Sequence, residues 1–335
     1  MSEKPSAHPQ LRPRSLQSAN LQRLSAHLRA VLQALFVTCL WSTSWVLIKL
    51  GLQDIPALTF AGLRYSLAFA CLLPFALRST HVSALRKLSA RSWLHLITLG
   101  LLFIAVTQGA VFVGLAYLPA VTVNLLLNFT TVVVALLGVA LLAERPALLQ
   151  WGGIGLNLVG ILVYFYPVAL PADQVFGLIA VSGGVLANAL SSILGRRVNR
   201  AGTLHPLPVT TVSLGIGGIT LLVVGVLTQG LPHLSWVNGL FVGWLAIVNT
   251  ACAFTLWNHT LRSLSALESS ILNGTMLIQI PILAVLFLGE PLTLQQISGM
   301  ALAGIGALIV QLRRSPRQPR EQKTSTLDNS DTPSR

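Results

Sequence analysis

Trp41, Trp45 and Lys49 follow one another at four-residue spacing inside the apolar run CLWSTSWVLIKLGL, residues 39–52. On a helix that spacing lays all three on one face. Two indoles, a cation and the neighbouring Ser44 can stack on and orient a solute. Further along the chain, Asn124, Asn128 and Thr131 recur at intervals of four and three and build a second polar stripe. Thr107 and Gln108 lie in another apolar run, as do Asn188, Ser191 and Ser192. Asn249, Thr250, Thr255 and Trp257 mark a fourth run, and Ser269, Asn273 and Gln279 a fifth, ahead of Pro281. One asparagine in an apolar helix reads as a tie to its neighbour, worth about 0.6 kcal/mol on average. Concentrated on several helices, such residues read as the walls of a shared polar cavity.

The charged residues in these runs are few. Arg64 lies about two turns inside its run, where insertion scales set a cost of roughly 2.5–3.5 kcal/mol at the helix centre. A tie to an adjacent helix and attraction of a substrate carboxylate are both open for it. Lys49 falls in the last turn of its run, from which its stem can reach the surface; contact with an anionic group is the sharper alternative. Glu268 sits one turn into its run, where a helix N-terminus favours negative charge; a proton relay is the alternative. Glu144 and Glu290 follow the runs at 119–142 and 265–288 and read as conformational ties near two mouths. Trp41 is near the middle of its run, so an interfacial aromatic belt does not account for it.

The elements that hold these residues follow from composition. Of 335 residues, 53% are hydrophobic and only 9% charged, against about 25% charged in an ordinary soluble domain. Ten apolar runs of spanning length are expected at about 30–51, 57–77, 93–115, 119–142, 148–166, 174–194, 206–228, 236–258, 265–288 and 293–312. Runs of this length without two-residue alternation are helices, since lipid leaves only helices or closed barrels satisfied. The fold class expected is therefore an all-α polytopic membrane protein. The net charge of +13 is clustered between runs. Arg78, Arg86, Lys87 and Arg91 follow run 2, Arg145 follows run 4, and Arg196, Arg197 and Arg200 follow run 6. Arg262 follows run 8, and Arg313, Arg314, Arg317 and Arg320 follow run 10, whereas Asp54, Asp173, His233 and Glu290 mark the other side. The charge reads as an orientation signal with both termini cytoplasmic, not as a nucleic-acid surface. Residues 1–28 are expected as a basic cytoplasmic tail and 312–335 as a disordered one. Cys39, Cys71 and Cys252 form no pair or metal spacing, and no cofactor is expected.

An internal repeat is visible. One offset of 146 residues pairs Glu144 with Glu290, Gln150 with Gln296, Gly153 with Gly299 and Gly160 with Gly306. Extended backwards, it pairs Leu118 with Leu264 and Ala120 with Ala266. Each copy holds five runs, 29–167 and 174–311, and an odd number forces the second copy upside down. Inverted repeats are the architecture of many secondary transporters, with the substrate site near mid-membrane.

The W-S-T-S-W run with Lys49, GLRYSLA around Arg64, L-x-E at 142–144 and FLGEPLT at 287–293 together resemble the drug/metabolite transporter superfamily, EamA type. The resemblance covers about residues 30–311. It implies a ten-helix inverted-repeat fold with a cavity lined mainly by helices 1, 3, 4, 6, 8 and 9. It also implies movement of amino acids or related small metabolites, with export inferred from the resemblance alone. Glu-Arg-Pro at 144–146 departs from Glu-Pro-Leu at 290–292, so the two mouths are expected to differ. The expected setting is the bacterial inner membrane, with a small-molecule solute and the bilayer as partners. Glycines at 152, 153, 155 and 160 with Gly299, Ala303 and Ala307 suggest scaffold packing or a homodimer through helices 5 and 10. An intramembrane enzyme or an assembly scaffold is the alternative class. No H-E-x-x-H, G-x-S-x-G or paired intramembrane aspartates support the former. No nucleotide-binding loop is present, so transport must run on gradients.

Overall fold

The computed structural model describes residues 14–142, 147–167, 171–200, 206–261, 263–264 and 266–311. Glu144 lies outside them, as do both chain ends. Among the described residues ten helices are long and apolar enough to cross a membrane. They are α1 (His27–Gly51), α2 (Ala57–Ala76), α3 (Ala90–Tyr117), α4 (Ala120–Ala140) and α5 (Leu148–Phe165). α6 (Ala172–Gly195), α7 (Leu207–Gln229), α8 (Trp236–Thr260), α9 (Ile271–Leu288) and α10 (Leu294–Gln311) complete the set. The helix of α1 already starts at Arg14, inside the stretch expected as a tail. The outer surface is apolar, with Leu162, Phe176, Ile179 and Leu286 exposed, as hydrocarbon requires.

Two antiparallel pairs come so close that only small residues fit between them. In α5 and α10 a Cβ on Gly160 would lie 2.3 Å from Ala303 N, and one on Gly306 would lie 2.4 Å from Asn157 N. Buried Asn157 donates to Ala303 O across the seam at 2.7 Å. Gly153 faces Gly306, Gly160 faces Gly299, and Asn157 faces Ala303. At the 146-residue offset these contacts are reciprocal, because Asn157 and Ala303 are equivalent positions that meet each other. Two-fold-related surfaces touch in this way. In α2 and α7, Gly62 abuts Leu222 and Gly225 abuts Thr59, each at 2.4 Å from an added Cβ. The small residues expected as a scaffold or dimer face therefore meet one another inside one chain. Gly152 and Gly155 are on the open side of α5, with nothing within 4 Å.

The offset recurs in the backbone itself. α4 is interrupted at Phe129, between helical pieces Ala120–Asn128 and Thr130–Leu142. α9, whose helix begins at Ala266, is interrupted at Thr275 in the same way. At both breaks the amide bonds three residues back, Phe129 N to Leu126 O at 3.1 Å and Thr275 N to Leu272 O at 3.2 Å. Wide π-type turns occupy Gly100–Gln108 in α3 and Ile247–Cys252 in α8. Gln150 and Gln296 each accept from the backbone amide three residues earlier, Ala147 N and Thr293 N, both at 3.0 Å. Each satisfies a donor that its helix start leaves open.

The α5–α10 seam makes a direct prediction. Gly160→Val forces a branched side chain against Ala303 backbone and should destabilise the protein by about 1–3 kcal/mol. Gly155→Ala, which meets open space, should stay within about 0.5 kcal/mol. Thermal unfolding in detergent measures both, and equal melting of the two variants would refute the seam.

Candidate functional site: a central cavity and a clamped helix turn

The polar stripes converge on one cavity of about 640 Å³, within the usual range for small-molecule sites. α1 contributes Trp41, Ser44 and Trp45, and α3 contributes Gln108. Asn124 and Asn128 reach it from α4, Asn188 from α6, Trp257 from α8 and Asn273 from α9. Both helix interruptions open onto it, through Asn128 and Thr130 on one side and Gly274 and Met276 on the other. Broken helices at mid-membrane are tolerated only where protein or a cavity receives their backbone. From Ile48 and Val111 the lining extends to Leu261 and Gln311, at the ends of α8 and α10.

Trp41 sits at the middle of an aromatic wall. Its ring centroid lies 5.2 Å from that of Trp257 and 5.4 Å from that of Phe254, both tilted, within the favourable range for aromatic pairs. Asn188 donates to Thr130 Oγ1 at 3.3 Å, and Asn124 donates to Met276 O at 3.4 Å. Asn128 is different, since its buried Oδ1 has no partner.

Six of the expected polar residues do not line the cavity, namely Ser191, Ser192, Asn249, Thr250, Thr255 and Gln279. Asn249 donates to Leu40 O and, at 2.7 Å, to Ser44 Oγ, joining α8 to α1. Gln279 accepts from Ser42 Oγ at 2.8 Å and donates to Thr275 Oγ1 at 3.1 Å, joining α9 to α1. Asn249 and Gln279 are interhelical ties. Phe103, Tyr65 and Phe254 line the cavity although they carry no polar-stripe signal. Phe103 and Phe254 share a helical face with Thr107 and Trp257, a signal that could have found them, whereas Tyr65 only adjoins Arg64 in sequence.

Arg64 faces this cavity and is 5% exposed. The wide turn in α8 lets Thr250 Oγ1 donate to Leu245 O, five residues back, at 2.8 Å. The same hydroxyl oxygen accepts from Arg64 Nε at 3.0 Å. The guanidinium carbon also lies 5.1 Å from the Tyr65 ring centroid, a cation–π geometry. Among the described residues no carboxylate lies within ion-pair distance of Arg64.

Lys49 does not reach for the surface. Its Nζ donates to Leu115 O at 2.8 Å and Leu118 O at 2.6 Å, the carbonyls that end α3. Glu290 accepts from Ala120 N at 2.8 Å and Val121 N at 3.3 Å, the amides that start α4. A cation at a helix C-terminus and an anion at an N-terminus both match the backbone dipole. The α3–α4 turn is thus clamped between charges from α1 and the end of α9. These residues line a separate cavity of about 660 Å³. At the other end Glu268 lies 3.2 Å from His27 Nε2, with both side chains partly exposed.

The clamp is testable. Glu290→Ala leaves two amides at the start of α4 without their acceptor and should cost about 1–2 kcal/mol, read as a lowered melting temperature. Glu290→Gln should lose less, since an amide oxygen still accepts. Wild-type melting of Glu290→Ala would mean that the contact stabilises nothing.

Comparison with known proteins places this architecture. The EamA-like transporter family matches twice, over residues 28–166 and 175–312. The uncharacterized inner membrane transporter YedA of Escherichia coli K12 is 30% identical over 240 residues, covering 68% of this chain and 72% of that one. The uncharacterized transporter YvbV of Bacillus subtilis is 25% identical over 279 residues, 82% of this chain and 88% of that one. A probable amino-acid metabolite efflux pump of Salmonella typhimurium is 27% identical over 307 residues, 85% and 96% of the two chains. A solved crystal structure aligns with a TM-score of 0.61 at 19% identity, covering 85% of this chain and 98% of the other. At that identity the likeness speaks for the fold alone.

Proposed function

The chain belongs to the EamA-like transporter family, and from that membership and the cavity we propose that it is a secondary transporter of amino acids or related small metabolites in a bacterial inner membrane. The observation that carries the reading is the cavity itself. Polar and aromatic side chains of α1, α3, α4, α6, α8 and α9 meet there, at two helix interruptions. Polar groups in a bilayer are costly unless they face one another or a polar passage. The substrate class and the outward direction draw on the relative named as an amino-acid metabolite efflux pump. The inner-membrane setting draws on the relative named for it.

The two halves act as inverted repeats that rock about the cavity. Reciprocal α5–α10 contacts and matched breaks at Phe129 and Thr275 support this. The basic loops support a cytoplasmic position for both termini. With that orientation the cavity reaches toward the cytoplasmic end, and Lys49 and Glu290 brace the α3–α4 turn at the outer one. A homodimer through α5 and α10 would use their outward faces, since the inner ones are occupied.

Flux of radiolabelled amino acids and metabolites into or out of proteoliposomes tests transport, and a broad panel without any protein-dependent flux would sink it. Trp41→Ala removes the centre of the aromatic wall. It should lower flux by about two- to tenfold, the worth of an aromatic contact, with the inserted amount unchanged. Unaltered flux would make Trp41 a packing residue.

A further inference from the structure

We propose that Arg64 is the recognition point for a single carboxylate on the transported solute, so that the cargo is a small organic acid or zwitterion with an apolar or aromatic body. The inference rests on the transport reading and adds the chemistry of the ligand to it. Arg64 is more than nine-tenths buried, and it is the one formally charged side chain lining the cavity among the described residues. Thr250 accepts from Nε, which leaves the terminal N–H groups of the guanidinium fork for another acceptor. Tyr65 supplies a ring 5.1 Å away but no negative charge.

A buried charge is retained only where something compensates it, and removing one partner of such a pair is strongly unfavourable. Among the described residues Glu290 is committed to the start of α4, Glu268 lies beside His27, and no carboxylate is within ion-pair distance of Arg64. In this proposal the compensating anion is the solute. A guanidinium meets a carboxylate through two parallel hydrogen bonds. One cation matches one carboxylate, whereas a phosphate group carries about −1.5 to −2 at neutral pH and would bring uncompensated charge into the cavity. On the wall of the same cavity, Trp41, Phe254 and Trp257 offer aromatic faces to the rest of the molecule.

Binding to the purified full-length protein in detergent tests this without any substitution. The probes are L-phenylalanine, L-leucine, 3-phenylpropanoate and hexanoate, each beside its primary amide, with inorganic phosphate as a separate arm. Isothermal calorimetry reads the affinities. At least one acid should bind about tenfold or more tightly than its amide, the worth of a charge-assisted contact. Arg64→Gln should erase that preference, and Arg64→Lys should keep part of it. Equal binding of acids and amides, no binding of any acid, phosphate binding in preference to the acids, or a preference that survives Arg64→Gln would each overturn the proposal. Should Arg64→Gln fail to fold, the acid–amide comparison on the unaltered chain still decides. Flux in proteoliposomes separates the two readings. Acids that bind but never cross would defeat transport and leave the site, whereas amides that cross as fast as acids would defeat the site and leave transport.

Discussion

Hydrocarbon supplies no water to a polar group, and the rest of this structure follows from that constraint. Each polar side chain within the spans must bond to another helix or face an interior that is itself polar. Asn157, Asn249, Gln279, Lys49 and Glu290 take the first course, each bonded to a different helix or helix end. Trp41, Asn128 and Asn273 take the second and face the cavity, and Asn188 and Arg64 do both, bonding Thr130 and Thr250 from the cavity wall. The same asparagine chemistry serves both uses, so position and not residue type separates a tie from a binding surface.

The backbone obeys the same rule. A helix interruption facing lipid would leave amide and carbonyl groups without partners, so the breaks at Phe129 and Thr275 sit where the cavity receives them. The wide turn in α8 shows the converse use of an irregularity. It carries the Thr250 hydroxyl into a position where it donates to its own helix and accepts from Arg64. A regular helix would bond Thr250 four residues back and place that oxygen differently. Close approach has its own demand. The α5–α10 and α2–α7 seams need glycine because an added Cβ would fall about one bond too near the opposing backbone.

Much of this was legible in the sequence, for physical reasons. Ten spans follow from length and hydropathy, which are properties of single segments. The polar stripes on α1 and α4 follow from helical spacing, again a local property. What could not be read is which faces converge, and the errors fall there. Gln279 and Asn249 look like Asn128 and Asn273 in one dimension, yet α1 covers the first two and leaves the others open. Lys49 was expected to extend toward water because its own run ends nearby. Nothing in that run announces that the last carbonyls of α3, some seventy residues away, fold over it. Glu290 was read as a tie, but its role as acceptor for the α4 amides needed the structure.

The two halves share their scaffold and not their lining, and that difference bears on how such a protein works. The α5–α10 glycines, the glutamine caps and the helix breaks recur at one offset. The groups that would meet a solute do not. α7 holds no lysine or arginine to answer Arg64 of α2, and α6 holds no tryptophan to answer Trp41 of α1. Asn128 of α4 corresponds to Gly274 of α9. Under the proposed rocking mechanism, matched frames would supply two arrangements of similar energy, so that neither state traps the carrier. Unmatched linings would, on the same proposal, fix the orientation of an asymmetric solute. Duplication can preserve the first property while substitution builds the second, because the residues that set packing and those that face the cavity occupy different faces of the same helices.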